Sequence, residues 1–404
     1  MSQSTAPTEA TSPPGTPRTI RITADPEPRP RRGRTLGIAA AVVLLLGAGT
    51  LAAALATGQP NPAPAAAANA AGTPAPQLRL GYFGNVTHAS ALIGVQEDLL
   101  GTALQDAGTP ELSTQVFDAG PAAIEALNAG AIDAAYVGPN PAINSFVQSH
   151  GESVAVIAGA AAGGAQLVVK AGITSPDQLK GAVLATPQLG GTQDVALRAY
   201  LAGKGLKTSP NGGGDATINP TDNAQTLRLF TNGKIDGAWL PEPWASRLVL
   251  QAGAHVLVDE KDLWDGAGTA KPGLFPTTVL IVNKKFAADH PQTVQALLKG
   301  HVAAIDWLNH ATPAEKAAAV NAGLKAAAGA ELPADVLERS LANITFTADP
   351  LAGAFPKLLH DGVAVGVTKD ADLHGLFDLR GLNEALAAAG HPSVGAAGLG
   401  QETP

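Results

Sequence analysis

The sequence predicts a two-lobed α/β protein with parallel strands, and three observations carry that expectation. At 404 residues the chain is longer than one small domain needs. From about Gln77 onward, short apolar runs alternate with stretches of helical length and spacing, the pattern of parallel strands joined by crossover helices. One phrase is also written twice. "AGAIDAAYVGPNP" (Ala129 to Pro141) and "NGKIDGAWLPEP" (Asn232 to Pro243) share Gly-x-Ile-Asp, an apolar strand with an aromatic at the same place, and Pro-x-Pro.

Residues 1–34 are rich in Pro, Ser and Thr and hold six arginines against three acids, a composition expected to stay disordered. Leu36 to Ala56 follows, 21 residues without a charge, close to the roughly 20 that span a bilayer as a helix. A single transmembrane helix over residues 35–57, with the arginines ahead of it, would hold 1–34 in the cytoplasm and place the rest outside. Its length favours a retained anchor over a cleaved signal, while small-residue sites such as "AAALA" leave cleavage open. Residues 58–76 read as a semi-rigid Pro/Ala linker, with the folded body starting at about Gln77.

In the body, "QLRLGYFG" (Gln77 to Gly84) reads as a strand ending in a loop and "HASALIGVQEDLLGTALQDAG" as one amphipathic helix. "LSTQVFDAG" is a second strand, "PAAIEALNAG" a helix with Pro at its start and Gly at its stop, and "IDAAYVGP" a third strand. "SVAVIAGAAAGGAQLVVK" is more strand with a glycine break, "TSPDQLKGAVLATP" a short capped helix before a strand, and "GGTQDVALRAYLAGKG" the helix behind it. "DATINPT" and "NAQTLRLFTNGKIDGAWLPEPW" repeat the order of strand, helix, Asn-Gly stop, strand and Pro-x-Pro. "GLFPTTVLIVNKKFAADHP" (Gly273 to Pro291) is a strongly apolar strand leading into a helical region that runs to about Gly390.

The repeated phrase has a physical form. A helix stops on Gly130 or Gly233, an Ile-Asp turn reverses the chain, and a buried strand carrying Tyr136 or Trp239 delivers a proline loop to the carboxyl edge of a sheet. Ligands of open α/β sheets bind at that edge, so each of two similar lobes is expected to give one loop to a shared cleft. Asp133 and Asp236 read as structural, bonding backbone at their turns.

Composition closes off several function classes. A net charge of -8 with only 15% charged residues advertises no nucleic-acid partner. The absence of cysteine removes disulfides, thiolate metal sites, a cysteine nucleophile and a lipid-modified N-terminal cysteine. No nucleophile elbow, P-loop or His-Glu-x-x-His is present, and the nine histidines are scattered singly. No catalytic residue, metal site or cofactor is therefore assigned.

Three segments in order, "ALNAGAIDAAYVGPNPAI", "SPDQLKGAVLATPQLGGTQDVALRAYL" and "FTNGKIDGAWLPEPWA", resemble the extracytoplasmic solute-binding proteins of ABC importers for nitrate, taurine and aliphatic sulfonates. The likeness covers most of residues 77 to about 310 and is more specific for family than for substrate. It implies a type II periplasmic-binding-protein-like fold, with lobe 1 from residues 77–166 and 277–395, lobe 2 from 167–276, and a C-terminal tail at 396–404. Crossovers are expected near Gly163 to Val169 and Leu274 to Val279, where glycines and a proline interrupt apolar strands. It further implies a monomeric, non-enzymatic receptor on the outer face of the cell membrane, or secreted if the helix is cleaved. That receptor hands a small anion or zwitterion, aliphatic sulfonate or taurine first, to an ABC permease and its ATPase.

The resemblance also implies which loops face the cleft. The first holds Phe83, Gly84, Asn85, Thr87 and His88; the second Gly138, Pro139 and Asn140; the third Gln188, Gly190, Gly191, Thr192, Gln193 and Asp194; the fourth Glu242 and Trp244. Backbone N–H groups at Gly190 to Thr192 suit anion oxygens without a full positive charge. The same residues also read as a turn and helix cap, Trp244 as packing between lobes, and His88 as a polar loop residue. No Arg or Lys lies in these loops, although Arg198 and Arg247 follow at helical spacing, and Glu242 would welcome an ammonium group. Nitrate, a thiamine or pyrimidine-type nitrogen compound, and a sensor or enzyme on the same fold stay open as alternatives; the related thiamine-pyrimidine branch carries cysteine motifs that this chain lacks.

Overall fold

The computed structural model describes residues 19–21, 72–269 and 271–403. The expected anchor at 35–57 lies outside the described residues, and among the described residues no helix is long and apolar enough to cross a membrane. The strands are β1 (Thr19–Arg21), β2 (Gln77–Phe83), β3 (Glu111–Phe117), β4 (Ala134–Val137), β5 (Val154–Gly163), β6 (Ala165–Val169) and β7 (Val183–Thr186), followed by β8 (Thr217–Pro220), β9 (Gly237–Pro241), β10 (His255–Asp259), β11 (Pro276–Asn283), β12 (Ile344–Phe346), β13 (Phe377–Asp378) and β14 (Gly400–Gln401). The helices are α1 (Ala89–Gln96), α2 (Leu99–Asp106), α3 (Gly120–Asn128), α4 (Pro139–Gln148), α5 (Thr192–Gly203), α6 (Asn223–Thr231) and α7 (Trp244–Ala252), then α8 (Lys284–Asp289), α9 (Pro291–His310), α10 (Pro313–Ala328), α11 (Ala334–Ala342), α12 (Phe355–Ala364) and α13 (Arg380–Ala388).

Two sheets result, and they share one plan. In lobe 1 the order is β3-β2-β4-β11-β5, with β1 outside β3 and the short β12, β13 and β14 around β5. In lobe 2 the order is β8-β7-β9-β6-β10. The first three strands of each order are parallel, and the fourth is antiparallel to both of its neighbours. That antiparallel strand is the one laid down as the chain crosses: β6 on entering lobe 2, β11 on returning. β4 is buried at all four positions, as expected of a strand covered by helices on both faces.

The duplicated phrase maps onto this plan. Asp133 Oδ2 accepts the backbone N–H of Arg79 at the start of β2 (2.8 Å), and Asp236 Oδ2 accepts that of Val183 at the start of β7 (2.7 Å). A cation, Arg79 or Lys170, pairs with each carboxylate. The two aromatics are core residues with one anchored polar atom each. Tyr136 O–H donates to His301 Nδ1 (2.9 Å), whose Nε2–H donates to the Gly159 carbonyl (2.7 Å), and Trp239 Nε1–H donates to Glu260 Oε2 (2.7 Å).

The first crossover is almost without length. β5 ends at Gly163 and β6 starts at Ala165, with Gly163 and Gly164 both left-handed (φ 76° and 73°). Glycine takes this conformation without penalty, and a Cβ would lie 2.8 Å from the Asn343 carbonyl oxygen or 2.6 Å from Ile344 Cγ1. The second crossover, residues 260–275, passes through a 3-10 turn (Glu260–Leu263) and the stacked, buried pair Trp264 and Phe275.

Several expectations need amendment. The sheet of lobe 2 runs from Ala165 to Asp259, starting two residues before and ending short of the 167–276 expected. The body begins before Gln77: Ala75 is buried and its N–H donates to Thr293 Oγ1 (2.8 Å). Residues 396–403 are no tail, because β14 pairs with β13 and Asn383 Nδ2 donates to the Glu402 carbonyl. The single helix expected after the first strand is two, broken where Asp98 turns left-handed (φ 52°) and α2 folds onto α1. Thr19–Arg21 pairs with β3 in parallel, inside a segment whose composition reads as disordered.

Candidate functional site

Parallel strands point the same ends the same way, so β2, β3 and β4 discharge into the interlobe cleft on one side and β7, β8 and β9 on the other. The helices that follow begin there. Asn85, Thr87 and His88 lead into α1, Ala119 and Gly120 into α3, Gly138 into α4, Gly191, Thr192 and Gln193 into α5, and Asn223 opens α6; all line the cleft. The first N–H groups of a helix have no partner within it, and no N-cap side chain satisfies those of α3, α4 or α5. Three uncapped helix starts, those of α3, α4 and α5, thus aim donors and the positive ends of their dipoles at one space, with the starts of α1 and α6 beside it.

The space itself is small. Its cavity volume is about 40 Å³, room for roughly three waters or a compact head group. Neither Lys nor Arg lines it, and the formally charged member of its wall is Asp118. His88 also lines it, and burial drives the imidazole pKa down to about 3, so the ring is neutral near pH 7. Its Nδ1 accepts the Phe83 N–H (3.3 Å), which leaves the proton on Nε2. Among the described residues no group of three His, Asp or Glu side chains could hold a metal.

The lobes touch across the cleft. Trp244 Nε1–H of lobe 2 donates to Asn85 Oδ1 of lobe 1 (2.9 Å). The Asn140 N–H in the first turn of α4 reaches Thr192 Oγ1 at the start of α5 (3.4 Å). A Cβ on Gly138 would lie 2.3 Å from that same Thr192 oxygen, so the closed approach depends on glycine there.

Of the residues expected from sequence, Phe83, Asn85, Thr87, His88, Gly138, Gln188, Gly191, Thr192 and Gln193 lie in the wall. The others lie outside it, Trp244 through its bond to Asn85. Gly84 packs against Ala328. Pro139 and Asn140 form the buried first turn of α4, with Asn140 Nδ2 donating to the Leu358 carbonyl. Gly190 N–H and the Thr186 hydroxyl both donate to Asp194, whose carboxylate also takes the Arg198 Nε–H (3.0 Å). Asp194 and Arg198 therefore brace the third loop from behind. Arg247 does not enter either: its guanidinium lies 4.5 Å over the Trp244 ring, and burial lowers its pKa.

Glu242 is the largest departure. It is fully buried, and its carboxylate collects bonds from Arg339 Nη1 (3.0 Å), Asn343 Nδ2 (2.7 Å), Ser340 Oγ (3.2 Å) and the Ser246 N–H (3.0 Å). Arg339 goes on to Gln166 and Ser246. The acid clamps α11 to lobe 2 beside the first crossover instead of facing a ligand. Asp118, Asn223, Thr277 and Thr278 are wall residues that the motif reading missed. The first two stand at the carboxyl ends of β3 and β8, where the strand-edge rule, applied to every strand, would have found them.

Residues 71–322 match the model of the NMT1-like family. The taurine-binding periplasmic protein of Escherichia coli (strain K12) is 29% identical over 189 residues, 46% of this chain and 54% of that protein. The chain thus spans about half the length of this curated relative. The solved alkanesulfonate-binding protein SsuA from Xanthomonas axonopodis pv. citri, bound to MOPS, superposes with a TM-score of 0.59 at 23% identity, covering 74% of this chain and 96% of that one. The periplasmic nitrate-binding protein NrtA from Synechocystis PCC 6803 superposes with a TM-score of 0.63 at 15% identity, covering 77% and 88%. At these identities the structural likeness establishes a shared periplasmic-binding-protein-like α/β fold.

Proposed function

The chain belongs to the NMT1-like family, and on that premise we propose that it is the substrate-binding component of an ABC importer. It captures a small organic anion or zwitterion, an aliphatic sulfonate or taurine, between its lobes and delivers it to a permease and its ATPase. One observation carries this reading: helix starts from both lobes converge on a closed cleft with no cationic side chain. Such a site holds anion oxygens by backbone donors and helix dipoles, and releases them when the lobes part and the donors separate.

The protein works as a monomer at the outer face of the membrane, tethered by residues 35–57. Tethering keeps the loaded receptor at high effective concentration near its permease. A span that leaves residues 1–34 in the cytoplasm and the pairing of Thr19–Arg21 with β3 exclude one another. Protease protection of the N-terminus in intact cells supports the tether, and a mature chain starting after Ala56 overturns it.

The test is calorimetric titration of the full-length protein with taurine, short alkanesulfonates, nitrate, sulfate and pyrimidines. Saturable binding of a sulfonate without turnover is the expected result. Silence toward every anion overturns the reading, and consumption of a bound compound moves the protein to the enzymes.

A further inference from the structure

Arg339 stands on α11, a helix of the lobe 1 sequence, yet its guanidinium is held by lobe 2. Its Nη1 donates to Glu242 Oε1 (3.0 Å) and Ser246 Oγ (2.7 Å), and its Nη2 donates to Gln166 Oε1 (2.8 Å). Gln166 carries the network further, its Nε2 donating to Asp259 Oδ2 (3.0 Å). These positions are the roots of both crossovers: Gln166 lies two residues past the left-handed Gly163 and Gly164, and Asp259 is the last residue before 260–275. Ser340 Oγ and Asn343 Nδ2 add their own bonds to the Glu242 carboxylate (3.2 Å and 2.7 Å). One short segment of lobe 1 is thereby tied to lobe 2 where the chain passes between the lobes.

The other side of α11 is bound differently. A groove of about 590 Å³ runs between it and α10, lined by Lys316, Ala317 and Ala318 on α10 and by Leu337, Glu338 and Leu341 on α11. Most of the lining is apolar, and apolar packing is non-directional, so it can slide. The fully buried Glu242 carboxylate, with four bonds, cannot let go without leaving charge unpaired. Both ends of the segment stay on lobe 1: Leu332 exchanges two bonds with the Asn321 side chain of α10 (2.7 Å and 3.0 Å), and Ile344 to Phe346 pair with β5. We propose that α11 is a strap that moves with lobe 2 when the cleft opens, so that three connections carry the hinge: the glycine pair, residues 260–275, and α11 with Asn343. On opening, the cleft contacts of Trp244 with Asn85 and of Asn140 with Thr192 break. The Arg339 network persists, and the groove between α10 and α11 changes width in its place.

The chain has no cysteine, so spin labels attach only where cysteines are introduced. Three pairs in the full-length protein serve: Glu125→Cys with Lys204→Cys between the lobes, Ala318→Cys with Glu338→Cys across the groove, and Glu338→Cys with Leu250→Cys between α11 and α7. All five positions are exposed. Each distance is measured with and without Gly138→Leu, whose side chain would collide with Thr192 and wedge the cleft open with no ligand present. The wedge is expected to lengthen the interlobe distance, shift the groove distance by about 2 Å and leave the distance from α11 to α7 unchanged. Adding Arg339→Met is expected to reverse the last two, with α11 then staying on α10. A groove distance that holds while α11 draws away from α7 overturns the proposal, because the network is then a contact that breaks on opening. An Arg339→Met variant that keeps the wild-type pattern removes the network from the strap, and a wedge that moves none of the three distances overturns strap and hinge together.

Discussion

Glu242 shows how far one side chain can be from the role its sequence position suggests. A carboxylate in a proline loop at the carboxyl edge of a sheet reads as a ligand group, yet every oxygen of it is spent on Arg339, Asn343, Ser340 and the Ser246 backbone. Replacing Glu242 by Ala strands a partly buried arginine and is expected to cost about 3 kcal/mol in chemical denaturation; a loss below about 0.5 kcal/mol would mean the clamp carries no stability. His88, by contrast, does line the cleft. Its pKa of about 3 keeps the ring neutral down to mildly acid pH, so anion affinity is expected to stay level between pH 8 and about 5.5. Affinity that climbs as pH falls through the ordinary histidine range, near 6.5, would show that His88 protonates in the cleft.

At the level of elements, the alternation of strands and helices was readable because strand edges, glycine stops and proline starts are local signals. The duplicated Gly-x-Ile-Asp phrase was readable for the same reason, and Asp133 and Asp236 do hold equivalent strands. The short strands β12 to β14 were not, because two or three residues carry no periodicity and pair only after distant chain has arrived. Of the missed wall residues, Asp118 and Asn223 follow strand ends that the sequence does show, while Thr278 lies within β11 on no motif, so only the sheet order places it. Gly138 sits at an ordinary backbone angle (φ −70°) and needs to be glycine only when α4 and α5 approach. Gly138→Ala is accordingly expected to leave the thermal midpoint of the unliganded protein within about 1 °C while weakening ligand affinity tenfold or more. Equal losses of stability and affinity would instead place the clash in both states.

For the whole molecule, acid stability reflects buried groups with opposite signs. His88 and His301 have folded pKa values of about 3 and about 4 because burial disfavours their charged forms. The stability they permit is complete above the unfolded histidine value and is lost as pH falls through about 6.5 toward 4. Glu260, raised by burial to about 7, works the other way: its contribution is complete below the unfolded glutamate value and is lost as pH rises from about 4.5 to about 7. The two trends oppose each other over one window. Glu260→Gln removes one of them, so its melting temperature is expected to rise more steeply from pH 4.5 to 7 than that of wild type, and parallel curves would show that Glu260 ionises freely.

The antiparallel strand of each sheet has a further consequence, for how the molecule is made. All strands of lobe 2, β6 to β10, come from one unbroken stretch, residues 165–259. Lobe 1 begins earlier on the chain but places β11 between β4 and β5, which do not pair with each other. As the polypeptide emerges N-terminus first, β2 to β5 appear before lobe 2 yet remain two separate pieces of sheet until β11 is made. The lobe that starts first therefore finishes last. A ribosome stalled soon after residue 259 would carry a lobe 2 with its sheet fully paired and a lobe 1 still open at its centre.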